Sequence, residues 1–212
     1  MLENLEIIAD KIRSQLEAKN EVREKALARS RELIRYCALS IRAVHRGEFE
    51  AAAELLTAAE VAARQMVEDV ATYPDLYYAG YIQDALKEYT EANVTYALIT
   101  DRPLADPDDL GVEYAAYLNG LGEATGELRR YVLDLIRHGR VERGERMLQA
   151  MDEIFSLLVT IDFPDAITGK VRRTTDRVRG VLERTRGDLT TAMRQEKLQE
   201  ALKAFEERIS VQ

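Results

Sequence analysis

The chain reads as an all-α protein, a single-domain bundle of about seven long antiparallel helices spanning residues 1–212. Three observations carry that expectation. Ala, Leu, Glu and Arg dominate the composition and only four prolines occur, a usage that favours helix. Apolar residues recur at spacings of three and four over long stretches. Alternating, β-branched runs bounded by turns are nearly absent. With 212 residues, 46% hydrophobic and 32% charged, the chain can bury a core and is neither disordered nor membrane-embedded in type.

Punctuation along the chain sets the elements. A first helix is expected from about Leu2 to Arg46, with Asn20 as a candidate break, and Gly47 in HRGEFE suits a C-terminal cap. A second follows from Phe49 to Val70. Pro74, at a first-turn position in TYPD, opens a third from Asp75 to Ile99. TDRPLADPDD, with two prolines and four aspartates, is the clearest loop. Helices are then expected from Leu110 to Arg137, from Val141 to Thr160, and from Phe163-Pro164-Asp165 to Arg186-Gly187. Asp188 is placed to cap a last segment reaching Arg208.

The opening residues MLENLEIIADKIRSQLEAKNE carry charges every few positions, and no stretch reaches about 18 apolar residues, so neither signal peptide nor membrane span is expected. The lone Cys37 falls inside the helical RELIRYCALSI pattern. A buried, inert thiol and a cytoplasmic location follow. A net charge of −8 argues against indiscriminate nucleic-acid binding. Charge is nevertheless segregated: Phe163 to Arg186 holds seven basic residues against three acidic ones.

Chemistry is suggested by two glutamate pairs, Glu88/Glu91 in KEYTEA and Glu123/Glu127 in GEATGEL. At about 100° per residue, spacings of three and four put each pair on one helix face. Gly122 and Gly126 flank the second pair, and small residues there would let another helix approach closely. Clustered carboxylates cost free energy unless a cation neutralises them. Exposed helices are also full of glutamate, so surface charge is the plain alternative. Di-iron chemistry asks for Glu-x-x-His, but the residues three before His45 and His138 are Arg42 and Leu135. An all-oxygen site points instead to Mg²⁺ or Mn²⁺ and to phosphoryl chemistry with metal-activated water. Arg42, His45 and Arg46 offer a phosphate contact at a helix end, or simple compensation of the helix dipole. Of the tyrosines in Tyr77–Tyr96, Tyr78 and Tyr89 are assigned to the core and the others are left between core and base stacking.

The order of these segments resembles the translin/Trax family, most closely a prokaryotic or archaeal form of its Trax branch. The resemblance rests on SRELIRYCALSIRAVHR, LKEYTEA, GVEYAAYLNGLGEATGELRRYVLD and FPDAITGKVRRTTDRVRGVLERTRGDLT, and covers residues 22 to about 192. It implies a hollow, octamer-like homo-oligomeric barrel that binds single-stranded RNA or DNA inside. It also implies Mg²⁺-dependent endoribonuclease activity, since Trax-type subunits are catalytic whereas translin-type subunits only bind. Glu88 and Glu91 match the paired glutamates of the Trax site, and Glu127 matches the glutamate of the TGEL block. Glu123 stands where Trax proteins commonly have Asp. His45 and Arg46 match a His-Arg pair near the nucleic-acid surface, with Arg42 and Arg173 as further candidates for holding the backbone. Two alternatives stay open: a non-catalytic translin-like binder of single strands, and an all-α nucleotide pyrophosphatase of the MazG kind. The latter typically spaces its second acidic pair ExxD, where this chain has ExxxE.

Overall fold

The computed structural model describes residues 4–210, and every regular element among them is helical. In chain order these are α1 (Leu5–Arg46), α2 (Phe49–Val70), α3 (Pro74–Tyr77), α4 (Gly80–Ile99), α5 (Pro107–Leu110), α6 (Tyr114–Arg137), α7 (Val141–Val159), α8 (Asp165–Thr168) and α9 (Val171–Ser210). Six are long, and α3, α5 and α8 are single turns of four residues. No helix among the described residues is long and apolar enough to cross a membrane.

Amphipathic faces dictate the packing. α1 and α2 make a hairpin closed by Gly47, whose φ of 77° lets the last carbonyls of α1 receive its N–H. α4 lies against both α1 and α6, while α7 and α9 cover the far side of α6. A continuous apolar cluster runs through the bundle, with Leu33, Met66, Ile82, Leu86, Ile99, Leu128, Met151 and Leu189 fully enclosed.

Two glycines on α6 set how closely its neighbours approach. A Cβ on Gly120 would stand 2.6 Å from the carbonyl oxygen of Lys87 and 2.7 Å from Thr90 Cβ, so α4 and α6 touch backbone to backbone. A Cβ on Gly122 would collide with Thr174 Cγ2, which brings α9 onto the same helix. The expected close approach is thus found at Gly122. At Gly126 it is not: that residue is exposed with nothing within 4 Å of an added Cβ.

Several boundaries differ from the sequence expectation. α1 runs unbroken through Asn20. The expected helix over residues 75–99 is interrupted at Tyr78-Ala79, where Ala79 is extended (φ −66°, ψ 141°) and Gln83 donates to the Tyr77 carbonyl. Tyr78 is consequently 63% exposed rather than in the core, whereas Tyr89 is buried as expected. The helix expected to start at Phe163-Pro164-Asp165 is broken after α8 and restarts at Val171. α9 then passes straight through Gly187-Asp188, because Leu189 is buried over Gly144 of α7 and Asp188 pairs with Arg129 at 2.8 Å. Tertiary packing there outweighs the local stop signal.

Substitution of two contrasting α6 glycines tests this account. Gly126→Ala gains helix propensity on an open face and is expected to stabilise by up to about 1 kcal/mol. Gly120→Ala gains the same propensity but forces the α4 and α6 backbones apart, and is expected to cost about 1–3 kcal/mol net. Urea unfolding of the variants measures both, and equal effects would contradict the packing argument.

Candidate metal centre

The α4–α6 contact decides the geometry of the site. Glu88 and Glu91 project one turn apart from α4, and Glu123 faces them from α6 three residues beyond Gly120. One carboxylate oxygen from each lies within 4.8 Å of the others, and all three residues are half-buried. An octahedral Mg²⁺ with bonds of about 2.1 Å holds its oxygens roughly 3–4 Å apart. Side-chain adjustments on the order of 1 Å therefore close the set. The donors are all carboxylate oxygens, which fits a hard divalent ion such as Mg²⁺ or Mn²⁺.

Electrostatics mark the same spot. Burial, reinforced by the charges of Glu88, Glu123 and Glu127, pushes the Glu91 carboxyl up to about 8. Glu88 is also raised, chiefly by burial, with Lys87 working against the shift. Cys37 lies beneath, fully enclosed, and burial together with Glu88 and Glu91 keeps its thiol protonated. It is the inert core thiol expected from sequence.

Glu123 and Glu127 are held by cations of the protein itself. Lys87 Nζ reaches Glu123 at 2.9 Å and Arg177 donates to its other oxygen at 3.2 Å. Glu127 stands outside the group of three. Its Oε2 bonds His45 Nε2 at 2.5 Å, a contact that lowers the Glu127 pKa, and Arg130 lies 3.8 Å away. His45, only 4% exposed at its side chain, closes this flank of the site; its Nδ1 is buried without a partner among the described residues. Arg42 and Arg46 are exposed, the latter paired with Glu48, and Arg173 is exposed on α9.

Three residues that shape the site escaped the sequence reading. Lys87 was hidden as the neighbour of Glu88, and Arg177 was one of seven basic residues in its segment. Gly120 sits in the same glycine-rich stretch as Gly122, but its contact with α4 has no signature along one helix.

Protonation of Glu91 makes stability depend on pH. Its folded pKa lies above that of an unfolded glutamate, so the metal-free fold binds an extra proton between about pH 4.5 and 8. The stability this contributes is full below about 4.5 and is lost as pH rises through about 8. Thermal melts of metal-free protein are expected to show wild type losing stability from pH 5 to 9 relative to Glu91→Gln. A divalent ion must expel that proton, so Mg²⁺ should raise Tm more at pH 8.5 than at 6.5 in wild type and little in the variant. A pH-independent Mg²⁺ shift, the same in both proteins, would remove Glu91 from the centre.

No protein-family model matches the chain. An uncharacterized protein of Methanocaldococcus jannaschii is 31% identical over 188 residues, covering 87% of this chain and 82% of the relative. The crystal structure of C3PO from Archaeoglobus superposes with a TM-score of 0.81 at 33% identity, over 87% of this chain and 96% of that one. The same protein solved with duplex RNA gives 0.77 at the same identity and coverage. The apo C3PO of Nematostella, 22% identical, shares the fold with a TM-score of 0.79, over 91% of this chain and 98% of that one. In sequence as in architecture, therefore, this chain belongs to the translin/Trax family.

Proposed function

We propose that the protein is a divalent-metal-dependent endoribonuclease acting on single-stranded RNA within a homo-oligomeric barrel. One observation carries the reading: three half-buried carboxylates from two helices converge where burial alone disfavours their charge. Such an arrangement works against stability unless a cation is its partner. The relative solved with duplex RNA supports the choice of RNA as substrate.

Glu88, Glu91 and Glu123 would hold Mg²⁺ or Mn²⁺. When bound, the ion supplies Lewis acidity toward a phosphate oxygen and lowers the pKa of water. Glu127, kept anionic by His45, lies beside the cluster as an acceptor that orients water. The short flank formed by His45 and Glu127 shields the centre from solvent on the α1 side. A single buried thiol accords with a cytoplasmic location.

A second reading has its own observation. Lys87 and Arg177 already neutralise Glu123, and Glu127 is hydrogen-bonded to His45 with Arg130 at 3.8 Å, so the acidic set is partly self-compensated as in a protein that binds without cleaving. A labelled single-stranded RNA separates the two. Wild type with Mg²⁺ is expected to cleave it, and Glu91→Gln and Glu123→Gln are each expected to lose about 10²-fold or more. Tight binding without Mg²⁺-dependent cleavage would establish the binder, and turnover of free nucleoside triphosphates would point to a pyrophosphatase.

The assembly is supported by apolar residues on the projecting helix ends. Leu198, Leu202, Phe205 and Ile209 are spaced four, three and four apart on α9 and are 52–61% exposed; Leu5, Ile8 and Ile12 form a similar stripe on α1. Such heptad-like stripes bury against other helices. Solution mass measurement should show a multimer for wild type and a smaller species for Leu202→Glu combined with Phe205→Glu.

A further inference from the structure

Lys87 sets a positive charge against the carboxylate cluster. Its Nζ lies 2.9 Å from Glu123 Oε2 and 3.6 Å from Glu88 Oε1. One ammonium therefore bridges two of the three gathered residues, across the seam between α4 and α6. The Lys87 side chain is only 22% exposed, so water and salt screen these contacts less than at an open surface.

We propose that Lys87 is the internal counterion of this site and that a divalent ion binds only in exchange for it, the ammonium leaving Glu88 and Glu123 and swinging outward to Asp84. The proposal rests on the metal centre of the ribonuclease reading.

Repulsion makes the two occupants exclusive. An ion held by Glu88 and Glu123 together would stand a few ångströms from the ammonium, and like charges that close are unfavourable in a half-buried space. The exchange also selects by charge. A divalent ion brings two positive charges for the one it displaces, whereas a monovalent ion gains nothing over the tethered lysine.

The fold allows the side chain to move and little else. A Cβ on Gly120 would stand 2.6 Å from the Lys87 carbonyl oxygen, so the main chain at Lys87 is pinned in the helix contact. Its flexible four-carbon stem is free to turn. Lys87 and Asp84 both line a cleft of about 780 Å³ beside the cluster, which gives the stem room. Asp84 is exposed, stands three residues before Lys87 on α4, and makes no ion pair among the described residues. An acid at that spacing ahead of a lysine is a favourable helical partner. Arg177 can stay where it is. It donates to the other oxygen of Glu123, Oε1, and a ligating carboxylate commonly keeps such a bond.

Calorimetric titration of the full chain with magnesium chloride at one fixed pH tests the exchange, with thermal melts in EDTA beside it. Lys87→Gln and Lys87→Met are each expected to bind Mg²⁺ about tenfold or more tighter than wild type. Both should melt lower in EDTA, where the carboxylates have lost their counterion. Lys87→Arg keeps the charge and should bind Mg²⁺ more weakly than either neutral variant. Asp84→Asn should weaken Mg²⁺ binding more in wild type than in the Lys87→Gln background; an equal loss in the two would overturn the outward swing. A lysine that merely fixed Glu123 in place would give the opposite sign, since its loss would loosen a ligand. Weaker Mg²⁺ binding by both neutral variants would therefore overturn the exchange, as would equal tightening by Arg130→Gln, which removes a cation beside Glu127 alone. If wild type binds Mg²⁺ and Glu91→Gln does not, while the neutral Lys87 variants bind as wild type does, only the exchange fails. If neither wild type nor any variant binds Mg²⁺, the metal centre fails and the ribonuclease reading with it.

Discussion

The backbone contact between α4 and α6 at Gly120 is the constraint on which the site depends. With no side chain at that position, the carbonyl of Lys87 and the side chain of Thr90 press directly on α6. This brings the turn carrying Glu88 and Glu91 opposite Glu123. Any side chain at Gly120 would separate the helices and, with them, the oxygens. Gly122 repeats the device one step on, where Thr174 seats the start of α9, so α6 is the axis against which both α4, with its carboxylates, and α9 are positioned.

That proximity creates electrostatic repulsion. Three carboxylates share a half-buried space, and Glu91 responds by holding its proton to about pH 8. The protein compensates the periphery rather than the centre. Lys87 and Arg177 hold Glu123 from one side and His45 holds Glu127 from the other. Among the described residues Glu91, the most strongly raised carboxyl, makes no ion pair, so its charged form is the least compensated of the three.

Much of the site was legible in one dimension. The i,i+3 spacing of Glu88 and Glu91 requires them to share a face of α4, and glycine beside Glu123 announced a close neighbour. The periodicity of α4 also identified its core face, apart from Tyr78. That residue failed because a break at Ala79 rotates what precedes it out of register with the helix that follows. The role of His45 was also not readable as it stands in the fold: a histidine in the last turn of a helix looks like dipole compensation, and only the arrival of α6 supplies Glu127 as its partner. Gly187-Asp188 misled for a similar reason, since Leu189 finds its pocket on α7.

By itself the sequence determined the elements and their faces: helix propensity, capping glycines and apolar spacing are local properties, readable wherever the chain goes. It also determined which donors the candidate site offers, because Glu88, Glu91 and Glu123 present only carboxylate oxygens. Only the tertiary structure decided which carboxylates meet. Glu127, alike in type and spacing to its neighbours, is drawn to His45, while Glu88, Glu91 and Glu123 gather across the glycine contact. The physical reason is that a helix fixes directions within a few residues, whereas convergence to a few ångströms depends on how closely two backbones pack.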